Sequence, residues 1–280
     1  MSVSGSTLLA GVMGWPISHS LSPLLHGYWL REHNIDGVYV PLPVAPSNLE
    51  HGLRALPRVG FRGVNLTVPH KEAALSMMDT VSDVARRIGA INTVFVSDDG
   101  SLSGTNTDAH GFIENLRLNA PTWQKNGGAA VVLGAGGAAR AVVAALIDAQ
   151  VSQVFLLNRT VEKAEQLAQA IGGPIKVVNW DDRDEAIGNA MLLVNATTLG
   201  MVNQPKLEVS LSALPKMAIV NDLVYAPLET ELLRTARQMG MQTVDGLGML
   251  LHQAVPGFEG WFGKRPDVTD GLRNVVLKTT

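Results

Sequence analysis

Cysteine is absent from all 280 residues. That absence excludes disulfides, thiolate nucleophiles and every cysteine-ligated zinc or iron–sulfur site from this chain, and no metal is expected. A reducing, cytoplasmic setting is consistent with it. Aromatic residues are scarce at 5%, whereas hydrophobic residues reach 46% and there are 28 glycines. Small aliphatic side chains and tight turns must therefore build the interior, which is the balance of an α/β globule. Neither sign of charge dominates, the net charge being -3. Without a basic footprint, nucleic acid and anionic membrane drop out as expected partners, and a small molecule becomes the default ligand. Long uninterrupted apolar runs are missing too. The nearest approach, residues 127–147, carries Arg140 and a glycine cluster at its middle, so it reads as strand, turn and helix rather than as a membrane span. The opening "MSVSGSTLLAGVMGWP" has no basic n-region and too short an apolar stretch for a secretory signal, so no targeting segment is expected.

What is present is an alternation. "TLLAGVM" reads as a strand, a helix follows from Pro23, "GVYVPL" is a strand, a helix follows Ser47, and "GVNLTV" is again a strand. Strand and helix in repeating order imply a largely parallel sheet. Ser22 before Pro23 suggests an N-cap with proline at the first helical position, and Leu24 with Tyr28 and Leu25 with Trp29 then stack along that helix. After an Asp-Asp-Gly turn the pattern changes, with Asp108 placed to lead a helix. From Ala129 a second series runs through "AAVVLGAG", a helix over 137–149, "QVFLLN", a helix over 161–171, "PIKVVN", "MLLVNAT" and "MAIVNDLV", the order of a doubly wound nucleotide-binding domain. "DGLGMLLHQAVPGF" opens what reads as a final helix. The expected domains are 1–107, 108–245 and a C-terminal helical segment, 246–280.

"VVLGAGGAAR" places Gly134-x-Gly136-x-x-Ala139 between an apolar strand and an alanine-rich helix. Gly134 permits a tight turn, Gly136 lets backbone approach a pyrophosphate, and Ala139 keeps helix and strand close. The diphosphate would sit at the positive end of that helix. One strand later, where an NAD-binding domain offers a carboxylate to the ribose, stand Asn158, Arg159 and Thr160. A guanidinium and a hydroxyl suit a 2′-phosphate, with Lys163 one turn on, so NADP is expected over NAD.

In "GVNLTVPHKEAA" side-chain alternation sets Val64, Leu66 and Val68 against Asn65 and Thr67. Polar residues on a covered sheet need partners, and Thr67 lies toward the carboxyl end, where open α/β sheets bind ligands. Lys71 is expected in the first turn of a helix, where the dipole disfavours a cation, so something other than helix stability should explain it. Asn92 repeats the polar theme in "GAINTV". Asp108 also reads as a plain N-cap, and Lys71 as a surface lysine.

Taken in order over nearly the whole chain, "GWPISHSLSPLLH", "NLTVPHK", "GAINTV", "GTNTDAHG", "GAGGAAR", "NRT", "NATTLGM" and "DGLGMLLHQA" resemble the shikimate dehydrogenase family. The resemblance implies a two-domain α/β protein: an open, mostly parallel substrate domain, a Rossmann-type NADP-binding domain, a C-terminal helix returning to the first domain, and a cleft between them. It implies reversible, NADP-dependent interconversion of 3-dehydroshikimate and shikimate on the chorismate route to aromatic amino acids. Residue by residue, it makes Ser20 and Ser22 donors to the substrate carboxylate, their period-two spacing setting both hydroxyls on one side of an extended segment. It assigns Thr67, Asn92 and Gln253 to the substrate hydroxyls and Tyr225 to the carboxylate end. Gln253 shares a helical face with Met249 and Leu250, so its amide needs a polar partner, for which a bound hydroxyl would serve. Lys71 and Asp108 match the family's catalytic pair. Gly134, Ala135, Gly136, Gly137 and Ala138 match the diphosphate loop, residues 158–163 the adenosine phosphate site, and Leu223 and Gly246 the nicotinamide site. Asp83 falls where some members carry a cofactor-contacting glutamate. His19 and His70 read as local hydrogen-bonding residues. Two other readings stay open, a quinate/shikimate dehydrogenase using NAD and a non-catalytic dinucleotide-binding regulator, as do monomer and homodimer.

Overall fold

The computed structural model describes residues 3–123 and 128–278. The first residue of the 127–147 segment and the last two of the 246–280 segment lie outside the described residues, as do the two at the start of the chain. The chain divides into two units. One runs to Thr107 and resumes at Gln253, and the other is Asp108–His252.

The first unit holds β1 (Leu8–Gly14), α1 (Ser22–Glu32), β2 (Gly37–Pro43), α2 (Leu49–Ala55), β3 (Phe61–Leu66), β4 (Thr80–Val81), α3 (Asp83–Ile88), β5 (Thr93–Val96) and β6 (Leu102–Thr105). Its sheet order is β2-β1-β3-β5-β6-β4. The β1–β2, β1–β3 and β4–β6 pairs are parallel. The largely parallel expectation holds, with one strand, β5, running antiparallel to both β3 and β6. The Asp-Asp-Gly turn causes the reversal between β5 and β6: Gly100 sits at φ 84 and Ser101 N–H donates to Asp99 Oδ1 at 2.9 Å, which turns the chain back within a few residues. The register aligns Asn65 with Thr93 and Thr93 with Thr105, a row of polar residues across three strands.

The second unit holds α4 (Asp108–Asn119), β7 (Ala129–Leu133), α5 (Gly137–Asp148), β8 (Val154–Leu157), α6 (Val161–Ile171), β9 (Ile175–Val178), α7 (Arg183–Gly188), β10 (Ala190–Asn195), β11 (Ile219–Asp222), α8 (Glu231–Gln238) and β12 (Gln242–Val244). The order β12-β11-β10-β7-β8-β9 is parallel at every described pair. β7 is buried throughout, as a strand covered on both faces must be. The chain builds outward from β7 to β9 and then returns to pair β10 on the other side of β7. The carboxyl ends of β7 and β10 therefore flank the switch point where doubly wound sheets bind ligands.

A long helix, α9 (Leu247–Phe262), is followed by α10 (Asp270–Leu277), so α9 is not the final helix. The unit junction falls at His252/Gln253, inside α9. Its first turns belong with α4, since a Cβ added at Gly248 would collide with Asn115 Oδ1 and Asn115 Nδ2 donates to the Asp245 carbonyl at 2.7 Å. Its later turns close the first unit. Trp261 Nε1 donates to the Val94 carbonyl at 3.1 Å, and Phe258 and Trp261 join Trp29, Tyr39 and His26 in one aromatic cluster. His26 stacks on Tyr39 at 3.9 Å, and burial lowers its pKa to about 3, so it packs as a neutral ring.

Candidate functional site

In the first unit the predicted polar residues meet in a buried network. Asn92, 2% exposed, receives the Thr107 N–H on Oδ1 at 2.8 Å and the Thr93 hydroxyl at 2.9 Å. Its Nδ2 donates to Thr107 Oγ1 at 3.0 Å and to Gln253 Oε1 at 3.3 Å. The partner expected from a bound hydroxyl is thus supplied to Gln253 by Asn92. Asn65 Nδ2 donates to the Asn92 carbonyl at 3.0 Å and to Thr93 Oγ1 at 3.1 Å, and Asn65 Oδ1 receives the Tyr39 hydroxyl at 2.6 Å. Burial pushes the Tyr39 phenol well above its ordinary value, while a hydrogen bond from Ser22 pulls it down. Sequence reasoning assigned no role to Tyr39, Thr93 or Thr107. For Tyr39 and Thr93 the signal was the same as for Asn65, a polar group on a strand with apolar neighbours, whereas Thr107 follows the end of β6 and carried no such signal.

Three local expectations change around this network. Ser22 is the first residue of α1 and Leu21 occupies the cap position in αR geometry, with no side-chain cap bond. The segment is therefore not extended, and Ser20 and Ser22 come together because Ser20 Oγ accepts the Ser22 N–H at 3.3 Å. β3 ends at Leu66, so Val68 leaves the strand and is 71% exposed. Thr67 follows the strand end directly, its N–H bonded to the Met13 carbonyl at 3.0 Å. Lys71 lies in a turn ahead of the 3₁₀ segment Ala73–Met77 and not in a helix, which withdraws the dipole argument. Its carbonyl accepts the Ile91 N–H at 2.8 Å, so backbone pins its position. The His70 ring bonds the Val44 carbonyl at 2.8 Å, a local role, and His19 is exposed. Asp83 is a first-turn residue of α3, where the helix dipole favours a carboxylate.

Asp108 and Tyr225 belong to the second unit. Asp108 opens α4 and is 7% exposed. Tyr225 is partly buried, which raises its pKa. At the switch point Gly134 adopts φ 110, and a Cβ there would meet the Ala196 carbonyl oxygen at 2.9 Å. Gly136, Gly137 and the start of α5 face open space instead, because a Cβ at either glycine would touch nothing within 4 Å. Open space at the head of a twelve-residue helix suits an anion such as a diphosphate. It opens onto a cavity of about 830 Å³ lined also by Asn158, Arg159, Thr197 and Thr198. Asn158 Nδ2 donates to the Thr160 carbonyl at 2.7 Å, and Thr160 caps α6 without a side-chain cap bond, leaving its hydroxyl for another acceptor. Arg159 and Lys163 are exposed. Leu223 and Gly246 are neighbours, since a Cβ at Gly246 would collide with the Leu223 carbonyl. The residues present therefore fit a dinucleotide with a phosphorylated ribose.

Sequence reasoning also missed the acid at the end of β11. Asp222 is fully buried and accepts from Thr230 Oγ1 at 2.6 Å, Asn195 Nδ2 at 2.9 Å and the Val224 N–H at 3.0 Å. Burial nonetheless pushes its carboxyl up to about 6. A raised folded-state value means stability that is complete below the unfolded value and lost as the pH climbs through the folded one. Asp222→Asn should thus gain on the parent, in chemical-denaturation free energy, between about pH 4 and pH 6, by about 3 kcal/mol. A difference that is flat across this window would refute the assignment.

Comparisons with known proteins agree with this geometry. Residues 12–94 match a shikimate dehydrogenase substrate binding domain, 120–225 the shikimate / quinate 5-dehydrogenase family, and 246–277 a shikimate 5'-dehydrogenase C-terminal domain. The NADP(+) shikimate dehydrogenase of Paramagnetospirillum magneticum is 58% identical over 98% of this chain and 100% of its own length. Among solved structures, shikimate 5-dehydrogenase from Thermus thermophilus in complex with NADP(H) and shikimate is 39% identical, with a TM-score of 0.87 over 98% of this chain and 100% of that one. Quinate dehydrogenase from Corynebacterium glutamicum in complex with NAD is 33% identical, with a TM-score of 0.90 over 97% and 99%. On its sequence, its two sheets and its dinucleotide cradle together, the chain belongs to the shikimate dehydrogenase family.

Proposed function

We propose that this protein is an NADP-dependent dehydrogenase that reversibly reduces 3-dehydroshikimate to shikimate in the cytoplasm. One observation carries the reading: identity of 58% to an NADP(+) shikimate dehydrogenase extends across 98% of the chain, and Lys71 and Asp108 are both present in it. NADPH, when bound, supplies the hydride for the ketone carbon. The glycines from 134 to 137 and Ala138 hold the diphosphate, Asn158, Arg159, Thr160 and Lys163 the phosphorylated adenosine, and Leu223 and Gly246 border the nicotinamide. Asp83 is the remaining cofactor contact. Ser20 and Ser22 donate to the substrate carboxylate with Tyr225 at the same end, while Thr67, Asn92 and Gln253 orient the ring hydroxyls. Lys71 carries a proton on Nζ and delivers it to the oxygen that gains charge as the ketone is reduced. Asp108 orients that ammonium and accepts from the adjacent hydroxyl. In the oxidising direction the same lysine removes the proton.

The rigidity of the Asn92 network supports the substrate half of this reading. A buried amide engaged by several partners holds one orientation, so hydroxyls that bond at its edge are positioned with little entropy lost by the protein. The test is formation of NADPH from shikimate and NADP+, followed by absorbance, alongside quinate and NAD+. Turnover with shikimate and NADP+ that exceeds every other pairing is the expected result. Higher turnover of quinate with NAD+ would replace this reading with a quinate dehydrogenase, and silence with both would replace it with a dinucleotide-binding regulator.

A further inference from the structure

Arg183 is a cation that the family motifs do not include, and its placement is unusual. Four acidic residues, Asp181, Asp182, Asp184 and Glu185, surround it in sequence, yet the guanidinium turns to an aromatic ring instead. It lies over the Trp180 ring at 5.6 Å from the centroid, and its NH1 donates to the Trp180 carbonyl at 2.9 Å. Its Nε is buried and has no hydrogen-bond partner among the described residues. A guanidinium held on an indole and fixed by one backbone bond has lost most of its rotational freedom in advance.

Both Trp180 and Arg183 line the cavity that begins at the Gly134–Gly136 cradle and includes Arg159. The charged residues of that lining are Arg159, Arg183, Lys206 and Glu208, three cations against one carboxylate. The cations approach from different elements: Arg159 from the end of β8, Arg183 from the start of α7, and Lys206 from the segment after β10. A dianionic group reached from separate directions by two guanidiniums is recognised by shape as well as by charge.

We propose that Arg183, held on Trp180, is a further reader of the 2′-phosphate of NADP and works with Arg159 and Lys163 to set cofactor preference. This rests on the NADP reading given above. The tryptophan is a positioning residue: it keeps the guanidinium away from its acidic sequence neighbours and at the cavity wall. The cations share one phosphate among them, so loss of any one leaves partial selectivity.

Calorimetric titration of NADP+, NAD+ and 2′,5′-ADP into the protein and its variants tests this. Arg183→Ala should weaken NADP+ and 2′,5′-ADP by about 10- to 100-fold and leave NAD+ unchanged, the amount expected for one or two charge-assisted hydrogen bonds. Arg183→Lys, which keeps the charge but not the fork, should recover part of the loss, and Trp180→Ala should show a smaller loss with the same selectivity. If alanine impairs folding, Arg183→Gln carries the comparison. Equal weakening of NADP+ and NAD+ would place Arg183 on a part common to both cofactors and overturn the proposal. Unchanged NADP+ affinity in a parent that does prefer NADP+ would overturn it as well. A parent with no preference for NADP+ would instead refute the underlying cofactor reading, and the proposal with it.

Discussion

Replacing Lys71 by alanine is expected to lower kcat for shikimate oxidation by about 10²- to 10⁴-fold, the contribution of a positioned proton donor or acceptor. NADP+ affinity should stay at the parent's value, and the backbone bond from the Ile91 N–H to the Lys71 carbonyl is retained in the variant. Lys71→Arg should remain impaired although it keeps the positive charge, since a guanidinium does not release its proton at neutral pH. Asp108→Asn, nearly isosteric at a position 7% exposed, should also reduce kcat if its carboxylate has the proposed role of orienting the ammonium. Steady-state kinetics with saturating NADP+ makes the measurement. A kcat reduced less than about tenfold in Lys71→Ala would remove the lysine from the chemistry and leave the proposed mechanism without a proton carrier.

The second large effect concerns folding. Trp261→Ala should destabilise the first unit by about 3–5 kcal/mol, the usual range for emptying a buried aromatic site. The ring is 1% exposed, packs near Tyr39 and Phe95, and its Nε1 bonds the Val94 carbonyl. Loss of the ring therefore opens a cavity and leaves an acceptor on β5 without this donor. Trp261→Phe keeps most of the apolar volume and loses the hydrogen bond, so it should cost only about 1 kcal/mol. The reciprocal change, Gly63→Ala, should fail for the opposite reason. At φ 154 its Cβ would collide with both the Val94 carbonyl oxygen and Trp261 Nε1, space that the backbone of a central strand cannot yield. Urea denaturation followed by tryptophan fluorescence would rank the three variants. An alanine variant as stable as the parent would show that the returning part of α9 is not what closes the first unit.

These effects mark how far the sequence can be read. Strand–helix alternation, the glycine spacing after β7 and the missing carboxylate after β8 were legible because each is a local signal whose physical cause lies within a few residues. α6, expected over 161–171, spans Val161–Ile171, and the turn before β6 reverses the chain as its Asp-Asp-Gly sequence requires. Where a residue's state depends on backbone torsions outside its own motif, local reading failed. Ser22 was expected to cap α1 and instead lies inside it, since Leu21 had already turned helical. Val68 was assigned by alternation to a strand that had already ended at Leu66.

By itself, the sequence determined the class of the protein, the order of its two sheets' building blocks and the chemistry available at each motif, because periodicity, turn residues and charge are properties of short stretches. Only the tertiary structure decided that Asn92 holds Gln253 across 161 residues of chain, that Asp222 is driven toward neutrality, and that Arg183 rests on Trp180 at the wall of the Arg159 cavity. Burial and hydrogen-bond partnership arise from segments that meet after folding, and a side chain's protonation and orientation follow from those meetings rather than from its neighbours in the chain.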